Sequence, residues 1–118
     1  MTTEHQLCKI RDIYRIIQEF EQDFENKYHI SLNEGMLLCV LSNRGSVSSG
    51  ELAKELGLTC SNTSKIIKSV EKKEFIKRVL GEADKRQMYF TLSENGKKQL
   101  ALLKCSNLII PDILMDKV

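Results

Sequence analysis

The sequence of 118 residues predicts a mainly α-helical α+β fold with one small β-hairpin. Three observations support this prediction. Apolar residues recur every three or four positions from Leu7 to Tyr28, which is the period of an amphipathic helix. Two shorter helical segments meet at Gly57, and large apolar residues alternate with others from Met88 to Leu92, as in a strand. Because a helix-turn-helix followed by a hairpin is a winged helix, we expect a winged helix-turn-helix with a flanking helix on each side.

The composition is that of an ordinary globular protein. Apolar residues make up 42% of the chain and charged residues 29%, a balance that argues against disorder. No apolar run is long enough to span a membrane, and the first residues lack the pattern of a signal peptide. The four cysteines, at positions 8, 39, 60 and 105, have no paired spacing, which argues against a zinc ribbon. We therefore expect one cytoplasmic domain with reduced thiols, no metal and no cofactor.

Charge is distributed unevenly along the chain, although the net charge is only +2. Residues 1–34 contain seven acidic and four basic side chains, a net charge of −3. Residues 54–98 contain eleven basic and six acidic side chains, a net charge of +5. A basic block beside an acidic one is typical of a protein that binds a polyanion, most simply nucleic acid. A solvated lysine-rich face is the alternative interpretation.

Capping patterns and a turn glycine divide the central part of the chain into three helices. Ser31 to Glu34 and Ser48 to Glu51 both match the capping box, so a helix is expected to begin at each. The first of these helices is almost entirely apolar from Met36 to Leu41, which predicts a central, buried helix. Gly57 supplies the positive φ of the tight turn after the second helix, and Thr59 is expected to cap the third.

The third helix, from Cys60 to about Glu74, is predicted to have two unlike faces. Ile66 or Ile67, followed by Val70, is expected to face inward. The outer face is small, polar or basic and comprises Ser61, Asn62, Lys65, Lys68, Ser69 and Lys72. An asparagine can pair with adenine, and lysines neutralise phosphates, so this face favours the recognition helix of a helix-turn-helix over an ordinary helical hairpin.

Strand signals follow this helix. Ile76 to Leu80 is short and β-branched, and Met88 to Leu92 alternates. The connection from Gly81 to Arg86 is charged, so we expect it to project into solvent as the tip of a wing. Val47, which lies between serines, could add a third short strand. Ser93 is expected to cap a last long helix.

The segment from Leu32 to Gly96 resembles the MarR family of bacterial winged-helix transcription regulators. The helix-turn-helix of that family is matched at Glu51-Leu52-Ala53, Leu56-Gly57-Leu58-Thr59 and Ser64-Lys65. Its wing is matched at Asp84-Lys85-Arg86 and Phe90-Thr91-Leu92-Ser93-Glu94-Asn95-Gly96. Two positions depart from the pattern, since Glu74 replaces a usual glycine and Lys65 replaces a usual arginine. We expect the corner at Glu74 to be built differently from that of the family.

The resemblance implies a homodimer that binds a pseudo-palindromic operator in double-stranded DNA, as a repressor relieved by a small molecule. Residues 31–99 would form the winged-helix DNA-binding core of a single domain, and residues 1–30 and 100–118 would form its dimerisation elements. The wide apolar stripe of the first helix independently favours packing against a second chain. The residues expected to contact DNA are Thr59, Ser61, Asn62, Ser64, Lys65, Lys68, Asp84, Lys85 and Arg86.

The resemblance also implies a site for a small aromatic ligand. It would lie near Tyr14, Ile17, Met36 and Val40, although the residue types themselves indicate core positions. Some relatives of the family sense oxidants through a cysteine early in the first helix, and Cys8 is so placed, which makes a redox-sensing regulator one alternative. A winged helix that docks an acidic protein partner is the other alternative.

Catalytic and metal sites find little support in the sequence. His5 and His29 lie near the two ends of the first helix, and no Ser-His-Asp order or phosphate-binding glycine loop is present. His5 and Cys8 are three positions apart, which is a weak metal pair without further ligands. Cys39 and Cys105 are expected to fill the core. We therefore predict that the chain is not an enzyme.

Overall fold

The computed structural model of the protein describes residues 3–81 and 87–105. Within these residues the fold is mainly helical with a small antiparallel sheet, which confirms the predicted fold class. In chain order the elements are α1 (Thr3–Tyr28), α2 (Leu32–Arg44), β1 (Val47–Ser48), α3 (Ser49–Leu56), α4 (Cys60–Lys72), β2 (Ile76–Leu80), β3 (Met88–Leu92) and α5 (Glu94–Cys105). The described residues divide into two compact units, 3–31 and 32–105.

The first unit contains α1. This helix begins at Thr3, earlier than the predicted start at Leu7, and ends at Tyr28 as predicted. Its last turns carry an aromatic cluster in which the ring of Phe24 lies 6.2 Å from that of Phe20 and 4.9 Å from that of Tyr28, measured between centroids. These distances are in the range of favourable aromatic pairs, so the cluster stabilises the end of the helix.

The second unit is built around α2. This helix contacts α3, α4, α5 and β3, which confirms the prediction of a central helix. Leu37, Leu38 and Leu41 are almost fully buried on one side of it. The buried side chains that other elements contribute to the same core include Val47, Leu52, Ile67, Val70, Phe90, Leu100 and Leu103.

The sheet has the strand order β1-β3-β2, and both pairings are antiparallel. Strand β3 pairs with β2 along its whole length, from Ile76 opposite Leu92 to Leu80 opposite Met88. Val47 pairs with Phe90, which confirms the third short strand. The bounds of β2 and β3 are those that the β-branched and alternating segments predicted.

The corner after α4 shows the structural roles of Glu74 and Ser93, two positions of the family pattern. The helix ends at Lys72, two positions before the predicted end, and Glu74 has a φ of 64°. Glu74 therefore takes the left-handed conformation that glycine adopts easily. The expectation of a different corner from that of the family stays a prediction. Ser93 ties this corner to α5 by donating its hydroxyl to the carbonyl oxygen of Glu74 at 2.6 Å and its N–H to that of Phe75 at 3.0 Å.

Gly96 lies against the same corner. A Cβ atom at position 96 would overlap the carbonyl oxygen of Phe75 and would approach Leu92 to 3.2 Å. Because a backbone carbonyl cannot move aside as a flexible side chain can, only glycine fits where α5 meets this corner. Ser93 also caps α5, since its hydroxyl accepts the N–H of Gly96 at 3.1 Å.

Candidate nucleic-acid interface

Helices α3 and α4 form the predicted helix-turn-helix. The hydroxyl of Ser48 accepts the N–H of Glu51 at 3.2 Å, and a carboxylate oxygen of Glu51 accepts the N–H of Ser48 at 3.4 Å, which completes the expected capping box. Gly57 ends α3 with a φ of 66°. The hydroxyl of Thr59 accepts the N–H of Asn62 at 3.1 Å and so caps α4. All three local predictions are confirmed.

Arg44 fixes the position of α3 against the end of α2. Its guanidinium donates to Glu51 at 2.6 Å and to Glu55 at 3.0 Å. The hydrogen bond from the N–H of Ser48 is the largest cause of a lowered pKa at Glu51, and the side chain of Ser48 and the charge of Arg44 add to the shift. Glu51 is therefore ionised near neutral pH. Helix α3 is fixed at its N-terminus by the capping box and along its side by the ion pairs with Arg44.

Helix α4 is oriented by the residues that it buries. Thr63, Ile67 and Val70 are the buried side chains of this helix, and the hydroxyl of Thr63 donates to the carbonyl oxygen of Thr59 at 2.8 Å. Ile66 is only half-buried, so Ile67 is the inward residue of the two. The opposite side of α4 therefore faces solvent.

The structure brings six of the nine residues that were predicted to contact DNA onto one exposed element. They are Thr59, Ser61, Asn62, Ser64, Lys65 and Lys68. The other three, Asp84, Lys85 and Arg86, lie outside the described residues. In the part of the chain that the structure describes, Lys65, Lys68 and Lys72 form no ion pair with a carboxylate, so this face of α4 keeps its positive charge. Such a face is suited to a polyanion.

Ser69 was predicted on this outer face, and that prediction is wrong. Its side chain is half-buried, and its hydroxyl donates to a carboxylate oxygen of Glu34 on α2 at 2.9 Å. The ammonium group of Lys73 donates to both carboxylate oxygens of Glu34, at 3.0 and 2.8 Å. The sequence held one signal of this contact, because a carboxylate beside the apolar run of α2 needs a buried partner.

A second ion pair joins α4 to the wing. The guanidinium of Arg78 on β2 donates to both carboxylate oxygens of Glu71, at 2.7 and 2.9 Å. It also lies 5.5 Å from the centre of the Phe90 ring, within the range of a cation–π contact. The bond from Arg78 lowers the pKa of Glu71, and Glu71 raises the pKa of Arg78. Both groups are thus charged near neutral pH, and they orient β2 against the end of α4.

Two of the cysteine predictions can be compared with the described residues. Cys39 is exposed, so its prediction as a core residue is wrong, because the period of α2 turns Leu38 and Leu41 inward and Cys39 outward. Cys8 is half-buried. It lies in the second turn of α1, because that helix begins at Thr3 and not at Leu7. It therefore lies beyond the first turn of α1, which carries the backbone N–H groups that have no partner within the helix. The side chain of Cys105 lies outside the description.

The four residues of the predicted ligand site lie on α1 and α2. Tyr14 and Met36 are 66% and 40% exposed, so their interpretation as core residues is wrong. Met36 lies on the side of α2 that is turned away from Leu38 and Leu41. Ile17 and Val40 are half-buried. A ligand site at these residues stays a prediction.

Neither a metal cluster nor a bilayer span is found among the described residues. Within residues 3–81 and 87–105, His, Cys, Asp and Glu side chains form no group of three that could hold a metal ion. None of the helices in those ranges combines the length and the hydropathy that a bilayer span requires.

Comparison with known sequences assigns the family. The sequence model of the MarR family matches residues 30–88, which is half of the chain. The uncharacterized HTH-type transcriptional regulator YfiV of Bacillus subtilis is 33% identical over 72 residues, which are 61% of this chain and 45% of that protein. The uncharacterized HTH-type transcriptional regulator YsmB of the same organism is 30% identical over 89 residues, 75% of this chain and 61% of that protein. The chain thus spans about half the length of the curated relatives it matches.

Solved structures share the fold. A probable transcriptional regulator from Pseudomonas aeruginosa superposes with a TM-score of 0.73 at 18% identity and covers 78% of this chain and 71% of its own. The MepR–DNA complex of Staphylococcus aureus superposes with a TM-score of 0.64 at 21% identity, over 80% of this chain and 78% of its own. MarR from E. coli gives a TM-score of 0.68 at 18% identity, over 78% and 70% of the two chains. With the helix-turn-helix, the sheet and Gly96 in place, the chain belongs to the MarR family of winged-helix transcriptional regulators.

Proposed function

We propose that this protein is a dimeric, sequence-specific DNA-binding repressor that inserts α4 into the major groove. The observation that carries the proposal is the exposed, positively charged face of α4, with Asn62, Lys65 and Lys68 on the second helix of a helix-turn-helix. A structural neighbour, MepR of S. aureus, was solved as a complex with DNA. Repression, and its relief by a small aromatic ligand, are carried over from the family resemblance.

Each exposed residue of this face has a role that its chemistry allows. The side-chain amide of Asn62 can donate to and accept from one adenine edge, which gives sequence preference. Lys65 and Lys68 can neutralise phosphates on either side of the groove. Lys65 supplies charge without the two-pronged geometry of the arginine that is usual in the family. Ser61 and Ser64 are small enough to let the helix approach the base edges.

The wing completes the proposed contact. The resemblance assigns the tip residues Asp84, Lys85 and Arg86 to the DNA surface, with Arg86 in the minor groove beside the major-groove site. These residues lie outside the described part of the chain, so their role rests on the sequence alone. Arg78 and Glu71 support this role indirectly, because their ion pair orients β2, which leads to the tip.

An exposed apolar stripe on α1 supports the dimer. Leu7, Ile10 and Tyr14 are 61%, 60% and 66% exposed, and their spacing of three and four places them on one side of the helix. Large apolar side chains in such a row are typical of a surface that a second chain covers. Of residues 100–118, which are expected to share in the dimer, 106–118 lie outside the described residues.

A charge on this stripe tests the dimer. We expect light scattering to give twice the 13.5 kDa chain mass for the wild type, and the Ile10→Lys variant to shift toward the monomer. Glu19→Lys is the matched control, because Glu19 is exposed and lies nine positions further on, about 180° around the helix. A wild type that remains at 13.5 kDa at micromolar concentration would contradict the dimer.

DNA binding is tested by titration at two salt concentrations. The probe is a fluorescent duplex enriched by the wild-type protein from a random-sequence library, and the readout is anisotropy. A dimer with about 6–10 phosphate contacts should lose on the order of 10³–10⁵ in affinity between about 50 and 200 mM salt. A failure to bind any duplex, or an affinity that barely depends on salt, would instead favour a winged helix that docks a protein partner.

A further inference from the structure

Glu34 is a buried carboxylate that the proposed DNA contact does not use. Among the residues that the structure describes, Glu34 and Thr63 are the buried polar side chains, and of these two only Glu34 can carry a charge. It lies in the first turn of α2, at 6% exposure, beside the core leucines. A buried charge is costly unless it is paired and hydrogen-bonded, so a residue of this kind needs an explanation.

Two residues at the end of α4 donate hydrogen bonds to Glu34. Ser69 donates to one carboxylate oxygen at 2.9 Å, and Lys73 donates to both oxygens at 3.0 and 2.8 Å. Ser69 and Lys73 are four positions apart, so they lie one above the other on the same side of the helix. Two attachments one turn apart resist both the tilt and the roll of α4, whereas a single attachment would act as a pivot.

The same contact directs the charge of Lys73. This ammonium group is drawn toward a buried carboxylate, and its side chain is only 36% exposed. The neighbouring Lys72 is exposed and pairs with no carboxylate in the described residues. Of two adjacent lysines at the end of α4, one is therefore bonded within the protein and the other faces solvent.

We propose that Glu34 is a positioning residue for the recognition helix. It sets the orientation in which α4 presents Asn62 and Lys65, and it keeps Lys73 away from the phosphates. This inference rests on the proposed DNA-binding function and extends it to a residue on the opposite side of the helix from the DNA.

The chemistry of a Glu34→Gln change separates positioning from stability. The glutamine keeps the size of the side chain and an oxygen that can accept from Ser69, but it leaves the ammonium of Lys73 without its counter-charge. Without that counter-charge, the ammonium of Lys73 is free to extend toward solvent and phosphate. Helix α4 at the same time loses its ion pair with α2 and keeps only the hydrogen bond of Ser69. Selective binding should weaken, and binding to arbitrary sequence should strengthen. A variant that only unfolds more easily would instead bind both kinds of DNA more weakly, in the same proportion.

The experiment compares two duplexes. One is the duplex enriched from the random library by the wild type, and the other has the same composition in shuffled order. For Glu34→Gln we expect the ratio of the two affinities to fall by about tenfold or more, the size of one good base contact. We also expect the salt slope on the shuffled duplex to steepen by about one unit per subunit, because each freed lysine adds one phosphate contact.

Two further variants serve as controls. Glu94→Gln makes the same substitution in an exposed ion pair of α5, with Lys97 at 3.5 Å, and should change the ratio much less. The double variant Glu34→Gln/Lys73→Gln removes the freed ammonium, so its salt slope should return to that of the wild type while the ratio stays low. If Glu34→Gln does not fold, Ser69→Ala removes one attachment and keeps the ion pair, and it should lower the ratio without changing the slope.

The possible outcomes are distinguishable. If the wild type binds the enriched duplex with a steep salt dependence, and the folded variants keep its ratio and slope, Glu34 has no positioning role. An equal loss on both duplexes also excludes that role, since it reports stability alone. If selection with the wild type enriches no duplex from the library, the proposed function itself is wrong, and the role of Glu34 is withdrawn with it.

Discussion

At its beginning α4 exposes Ser61, Asn62 and Ser64 to solvent, whereas at its end Ser69 and Lys73 are bonded to a buried carboxylate of α2. The beginning has few bonds to the rest of the chain apart from its cap. The end is tied to α2 through Glu34, to the wing through the ion pair of Glu71, and to α5 through the corner that follows. One helix thus separates two tasks along its length.

This separation has a physical logic. Side chains that contact bases must be free to exchange water for hydrogen bonds with the DNA. They therefore cannot already be hydrogen-bonded to other groups of the protein. Their position must nevertheless be defined, because a base contact tolerates little displacement. Side chains at the end of the helix, such as Lys73, are bonded within the protein. These bonds define the position of α4 and leave its DNA-contact face unoccupied.

The largest effect should come from breaking the corner that holds the end of α4. Gly96→Ala would place a methyl group against the carbonyl oxygen of Phe75, and we expect a loss of about 3 kcal/mol in the free energy of unfolding. Gly50→Ala is the matched control, because no atom lies within 4 Å of the added methyl group. It should be neutral or stabilising by up to about 1 kcal/mol. Chemical denaturation measures both, and equal stabilities would refute the steric role of Gly96.

A change at the beginning of α4 should affect DNA and leave stability nearly unchanged. Asn62→Ala removes the proposed base contact, so binding to the enriched duplex should weaken by about 1–3 kcal/mol. Asn26→Ala, at an exposed asparagine of α1, should not alter the affinity. Anisotropy titration and thermal denaturation of both variants check this pair. A large loss of stability in Asn62→Ala would mean that its side chain supports the fold instead.

Glu74 offers a way to strengthen the end of α4. Its φ of 64° is unfavourable for a residue with a Cβ atom, so Glu74→Gly should stabilise the protein by about 1 kcal/mol. The hydrogen bond from Ser93 goes to the backbone oxygen and is retained. Gly57→Ala makes the converse change at a φ of 66° and should destabilise by about 1 kcal/mol. Denaturation curves with the same sign for both variants would contradict this reasoning.

The smallest effect concerns the exposed pair of Glu71 and Arg78. Because the pKa of Glu71 is lowered in the folded chain, its contribution is present above the unfolded pKa and is lost as the pH falls through the lowered value. Half of the Arg78 side chain is exposed, so water screens the pair and we expect only about 0.5 kcal/mol at neutral pH. The stability difference between wild type and Glu71→Gln should shrink below about pH 4. A difference that stays constant with pH would show that the charge has no part in it.

Local chemistry explains which features could be predicted from the sequence. The caps at Ser48 and Thr59, the turn at Gly57 and the alternating strand β3 depend on neighbours within a few residues, and all were predicted. The contact between Glu34 and Ser69 joins residues 35 positions apart, so no local pattern reveals it. The exposure of Tyr14 and of Cys39 was not predicted for a related reason. The spacing of apolar residues shows that a helix has an apolar face, but it does not show which positions of that face neighbouring elements cover.

The most direct test of the division along α4 is an NMR titration of the labelled protein with the enriched duplex. The backbone amides of Ser61, Asn62, Lys65 and Lys68 should show the largest chemical-shift changes, and those from Ser69 to Glu74 should show clearly smaller ones. Largest changes at the end of α4, or in α1 with none at the beginning of α4, would contradict the proposal that the free beginning of this helix binds DNA.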